Sequence, residues 1–162
     1  MAQESTELLV TPRLFEQILK AESNLIGLEA ASVEDTLAQF RQLAMRSGQS
    51  VYQWEPETGI NSLRESEMRV PGSKRLSDAL RFILQSMHFG IYLLTDFEEQ
   101  VKPPNLALLR RVARIASGNE RKIVFIANQL QLPEEIDVLV ERLTQRGSGR
   151  MRPRLRDGRW IT

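Results

Sequence analysis

Apolar and polar positions along this chain alternate between two periods, and the switches lay out its elements. Residues 1–10 read as loosely ordered. Thr11 followed by Pro12 is a helix start: a capping hydroxyl, then a proline whose fixed φ suits the first turn. Leu14, Phe15, Ile18 and Leu19 follow at the spacing of one helix face. NLIGLEAA, 24–31, predicts a strand. Ser32 and Asp35 form the S-x-x-D variant of a capping box and open a helix to about residue 47. Its predicted buried face is Val33, Leu37, Phe40, Leu43 and Ala44, and Gly48 stops it. QSVYQWE, 49–55, predicts a second strand, rich in aromatic and β-branched residues. Residues 56–75 combine turn residues and mixed charge with little periodicity, which predicts a long loop of the functional or mobile kind.

The second half repeats the alternation. LSDALRFILQSM, 76–87, predicts a helix. GIYLLTD, 90–96, predicts a strand apolar on both faces, as a central parallel strand is. Pro103 and Pro104 start a helix running to about residue 117. KIVFIAN, 122–128, predicts a fourth buried strand. Pro133 starts a last helix, EEIDVLVERLTQR, and the glycines of 147–158 predict weak ordering. Strands alternating with helices imply βαβ units. The expected fold class is therefore α/β, in three α/β/α layers around a mostly parallel sheet of four to five strands. The expected organisation is a flexible N-terminus (1–11), one α/β domain (12–146) and an arginine-rich tail (147–162).

Composition removes several chemistries. The 162 residues contain no cysteine and one histidine, His88. Disulfides, thiolate zinc sites and cysteine nucleophiles are excluded, and neither a histidine metal site nor a Ser/His/Asp arrangement is expected. His88 reads as a helix-end residue, and Tyr52 and Trp54 as packing residues. No apolar run is long enough to span a membrane, and the N-terminus lacks the pattern of a signal peptide. A cytoplasmic location is the expectation. The net charge of +1 hides an asymmetry: residues 142–162 hold seven arginines against one acid, Asp157, which is +6, and the rest holds 15 bases against 20 acids, which is −5.

The site where an α/β nucleotide-binding domain carries its phosphate loop holds LIGLEAASVEDTLAQF instead. A phosphate loop needs glycines that let backbone N–H groups approach phosphate, and a lysine to neutralise it. Here the one glycine, Gly27, lies within the strand. No lysine occurs between Lys20 and Lys74, and Glu34 and Asp35 repel anions from the helix start. Other candidate positions remain. Asp96, Glu98 and Glu99 follow an apolar strand as the acids of a Walker B segment do, where Asp holds magnesium and the second acid polarises water. Strand-ending Asp residues also simply cap turns. Asn128 ends the next buried strand, where AAA-type ATPases place a polar γ-phosphate sensor. Its plain alternative is a hydrogen-bonded turn. Arg150, Arg152, Arg154, Arg156 and Arg159 are candidate polyanion contacts, or an edge strand or solvated tail.

The order of segments carries a resemblance over about residues 12–146. The segments are LIGLEAAS, SVYQWEPETGI, GIYLLTDFEE, a proline-started helix with LLRRVARIA, and KIVFIANQLQLPEEI. In that order they resemble the N-terminal domain of a family of bacterial and chloroplast AAA ATPases, in which a degenerate AAA-like domain precedes the active module. The resemblance implies a P-loop-NTPase-like fold with a lost phosphate loop. The active module with its Walker A lysine is not in this sequence, so the chain is a stand-alone relative or a fragment. The expected role is a non-catalytic interaction or regulatory module with no cofactor and no metal. Its expected partner is a protein, either an AAA ATPase or a second copy. The alternative is a weak binder of magnesium nucleotide or nucleic acid. A receiver domain fits less well, because Glu29 lies within its strand and no fifth strand with lysine follows. An enzyme with an unrecognised site is a further α/β reading.

Overall fold

A computed structural model describes residues 10–65, 67–86, 88–115 and 121–143. In chain order the elements are α1 (Pro12–Lys20), β1 (Leu25–Glu29), α2 (Val33–Ser47), β2 (Val51–Glu55), β3 (Gly59–Ser62), α3 (Leu76–Gln85), β4 (Gly90–Leu94), α4 (Asn105–Ala113), β5 (Arg121–Ala127), α5 (Glu134–Asp137) and β6 (Val140–Arg142). The six strands form one sheet in the order β3-β2-β4-β5-β1-β6, and all pairs are parallel except β2–β3. The fold is α/β with a mostly parallel sheet, consistent with a P-loop-NTPase-like domain.

Alternation along the strands splits the core in two. Ile26, Leu28, Ile91, Leu93, Val124 and Ile126 face one side, where Leu14, Phe15 and Ile18 of α1 and Phe40, Leu43 and Ala44 of α2 cover them. Leu25, Tyr92, Leu94, Ile123 and Phe125 face the other side, beneath α3, α4 and Ile136 of α5. The helix after β1 and the helix after β5 therefore lie on opposite faces of neighbouring strands. That arrangement makes a topological switch point, where a crevice opens at the carboxyl ends of the strands.

The caps follow the sequence. Thr11 Oγ1 accepts from Leu14 N, Ser32 Oγ accepts from Asp35 N, and Gly48 closes α2 at φ 76°. The buried face of α2 differs in detail. Thr36 is buried, because its hydroxyl donates to Ser32 O, while Val33 and Leu37 are half-buried. Lys122 is an apparent misfit in a buried strand. Its ammonium donates to Ala21 O at 2.6 Å and Ser23 O at 3.1 Å, carbonyls at the C-terminal end of α1, where the helix dipole favours a cation.

Three expectations need correction. Residues 56–75 are not an unstructured loop. Gly59 takes φ 77° and turns the chain into β3, which pairs antiparallel with β2 from Glu55↔Gly59 to Tyr52↔Ser62. Met68 O and Val70 N then bond Ser62 N and Ile60 O along the outer side of β3. Ser73 locks the return: its hydroxyl accepts from Ile60 N and donates to Val70 O, and its carbonyl accepts from the buried Trp54 indole at 2.8 Å. Second, the helix after Pro133 ends at Asp137. The chain instead extends into β6, which pairs with the free edge of β1. A hydrogen-bonded edge there outweighs the helical spacing of Ile136, Val140 and Leu143. The sheet thus has six strands rather than four or five. Third, α4 starts at Asn105, just past the prolines, and ends at Ala113 rather than near residue 117.

Candidate functional site

The carboxyl ends of β2, β4 and β5 and the first turns of α2 enclose a cleft of about 360 Å³. Val33, Leu37, Ile126 and Ala127 supply apolar lining. Gln53, Glu55, Thr95, Asp96, Glu98, Glu34 and Asn128 supply the polar remainder. Among the described residues no lysine or arginine lines it. Such a wall repels phosphate and attracts cationic groups.

Asp96 reaches the rim through a sharp turn. Thr95 N and Oγ1 both donate to Trp54 O, at 3.0 and 3.3 Å, and Gln53 Nε2 donates to Thr95 Oγ1 at 3.2 Å. Asp96 then takes φ 51°, a left-handed conformation that Asp tolerates better than most residues. The turn lets Phe97 drop back into the core, where it stacks edge-on against Phe125 at 5.0 Å. Glu98 and Glu99 lie in a 3-10 turn, Glu98–Gln100, and are exposed. Glu98 lines the cleft and Glu99 is not part of its lining. Gln100 Oε1 accepts from Leu76 N at 2.7 Å and so caps α3, whose own N-cap residue, Arg75, makes no side-chain cap bond.

The β1–α2 junction is short. Glu29 ends β1 and Val33 begins α2, so only Ala30, Ala31 and Ser32 connect them. Asn128 Nδ2 donates to Ala30 O at 3.3 Å and Ala31 O at 3.1 Å. The residue at the sensor-like position thus spends its amide on this connector. Beside it, Glu29 Oε2 accepts from Leu130 N at 3.0 Å. The Arg142 guanidinium lies 3.6 Å from Glu29 and 3.1 Å from Asp137, and it donates to Leu130 O at 3.0 Å. Glu34 and Asp35 are exposed at the helix start.

The structure therefore brings Asp96, Glu98 and Asn128 to one cleft. Arg150, Arg152, Arg154, Arg156 and Arg159 lie outside the described residues. Sequence reasoning missed the contributions of Gln53, Glu55 and Arg142. Arg142 was hidden because its strand reads as helix, and the other two needed the sheet order. Among the described residues no group of three or more His, Asp or Glu side chains is placed to hold a metal ion, and no helix is long and apolar enough to cross a membrane.

Comparison with known proteins agrees with this architecture. The family model for "SpoVK-like AAA ATPase, N-terminal domain" matches residues 11–144. Neither the curated proteins nor the solved structures gave a match. The match takes in every strand and helix described above, and the chain belongs to the family of SpoVK-like AAA ATPase N-terminal domains.

Proposed function

We propose that this domain is a non-catalytic AAA-like module that works by binding a protein partner at the carboxyl edge of its sheet. The observation that carries the reading is the β1–α2 connector. Three residues, none of them glycine or lysine, join strand to helix, and Asn128 holds the carbonyls of the first two, Ala30 and Ala31. A phosphate cradle needs a longer, glycine-rich turn with N–H groups aimed outward. Asp96, Glu98, Glu99 and Asn128 are then remnants of a Walker B and sensor arrangement, of which Asp96 now serves the turn, Glu98 the rim and Asn128 the connector. Family membership favours an AAA ATPase-type module as the partner, with a second copy next. The surface proposed for contact is the hairpin tip at 56–58, residues 96–104 and residues 128–133.

The test is direct. Purified protein with magnesium ATP or GTP shows no turnover and no thermal shift. A native-state ligand at about 100-fold its dissociation constant adds about 2.7 kcal/mol, which is easily detected. Turnover that disappears in Asp96→Ala and Glu98→Ala overturns the reading. The second reading, a nucleic-acid binder, draws on the arginines of 142–162. It requires affinity for short DNA that falls steeply with salt.

A further inference from the structure

The cleft and the arginine-rich end of the chain are complementary in charge, and the last described strand ends at the same edge of the sheet. Glu34, Glu55, Asp96 and Glu98 rim the cleft over an apolar floor that includes Leu37 and Ile126. Low-dielectric walls focus the field of such a rim more than isolated surface acids do. Past residue 143 the sequence carries six arginines and one acid, Asp157. Apolar Met151 and Leu155 alternate with those arginines, matching a groove with a charged rim and an apolar floor.

Position links the two. β6 runs parallel to β1, and Leu143 N bonds Gly27 O, so the chain leaves β6 at the same edge of the sheet where the cleft opens. The cleft lies over β5, β4 and β2, which are two to four strands from β6. At about 4.8 Å per strand that is about 10–20 Å. Residues 144–150 extended span about 23 Å, so Arg150 and the arginines after it reach the rim. At this edge Arg142 already pairs with two acids, Glu29 and Asp137.

We infer that residues 146–159 of the chain dock on the acidic cleft of the same molecule. Their arginines pair with Glu34, Glu55, Asp96 and Glu98, and Met151 and Leu155 turn to the apolar floor. The docked segment masks the surface assigned above to a partner, which must displace it. That consequence rests on the partner reading, whereas the docking itself does not.

The chain lacks cysteine, so Ser148→Cys gives a single attachment point for a nitroxide on the full chain. In low salt the amides of 33–37, 95–98 and 126–128 lose most of their NMR intensity. Reducing the nitroxide restores it. About 1 M salt, where the Debye length falls to about 3 Å, also restores it. So does Arg150→Gln/Arg152→Gln/Arg154→Gln/Arg156→Gln, and so does Glu34→Gln/Glu55→Gln/Glu98→Gln. The arginine variant changes none of the described core residues, so it keeps the test decisive if the glutamate variant folds poorly. A mixture of isotope-labelled protein without nitroxide and unlabelled protein with it shows no broadening. The inference is overturned by no broadening, by broadening on another surface, by broadening that salt leaves intact, or by broadening seen only in the mixture. Such a result leaves the partner reading standing, since no partner is present in the experiment.

Discussion

Gly59→Ala is expected to cost far more than an exposed glycine substitution, because two separate penalties meet at Gly59. The first is conformational. At φ 77° an alanine pays about 1–2 kcal/mol for the left-handed region. The second is steric. An added Cβ stands 2.5 Å from Ser73 Oγ, 3.0 Å from Ser73 C and 3.2 Å from Lys74 N, and two of these atoms are backbone. Relief requires moving Ser73, whose hydroxyl serves Ile60 N and Val70 O and whose carbonyl serves the Trp54 indole. Losing one buried hydrogen bond costs about 1–3 kcal/mol. The restricted unfolded chain returns about 0.4–1 kcal/mol, leaving a net loss of about 2–4 kcal/mol. Gly72→Ala is the control. Its φ is 69°, yet nothing lies within 4 Å of the added carbon, so only the backbone penalty of about 1 kcal/mol survives. Urea denaturation followed by circular dichroism compares the two. With a slope of about 2 kcal/mol per molar, the Gly59 variant unfolds roughly 1 M earlier than the Gly72 variant at an unchanged slope. Equal midpoints refute the Ser73 lock.

Three further outcomes are expected. Asn128→Ala lowers the urea midpoint by the equivalent of about 1 kcal/mol, because Ala30 O and Ala31 O lose their donor, and Asn128→Asp lowers it more by setting a carboxylate against two carbonyls. Arg142→Met costs about 1–2 kcal/mol and speeds hydrogen exchange at the Leu143 amide, which bonds Gly27 O, because β6 loses its ties to Glu29, Asp137 and Leu130. Tyr92 titrates above the ordinary tyrosine value of 10.0, chiefly because burial disfavours the phenolate, with a Ser86 hydrogen bond partly opposing. The stability linked to it is whole below about pH 10 and is lost as pH rises through the folded-state value. Tyr92→Phe should therefore flatten the alkaline limb of a stability–pH curve; an unchanged limb contradicts this.

The parts of this fold written in local sequence are those whose burial has one solution. GIYLL and KIVFIA are apolar on both faces and fit only a covered central strand. Thr11, Ser32 and Gly48 announce their caps because each satisfies its helix end within a few residues. The misses are elements that a distant partner decides. GINS is too short and polar to read as a strand until Gly59 turns it onto β2. Residues 134–142 carry helical spacing, and only the vacant edge of β1 makes their end a strand. The site divides in the same way. Asp96 and Asn128 are placed at the carboxyl edge by topology, which the alternation of elements already implies. That Asn128 holds the β1–α2 connector, and that Gln53 bonds Thr95 while Glu55 joins Asp96 in the cleft lining, depends on the strand order. No single segment encodes that order.

The two lateral margins of the sheet differ in a way that bears on assembly. On the β3 side, Ser62 N and Ile60 O are already bonded by Met68 and Val70, so that margin offers little backbone to another chain. On the β6 side the last strand has three residues, and no strand neighbours it beyond β1 among the described residues. Among the described residues, joining sheets edge to edge is thereby limited to one margin. Two such margins related by a two-fold axis close on each other and leave none to continue. The geometry is compatible with a discrete pair and opposed to open-ended fibre growth, which needs two free margins on every copy.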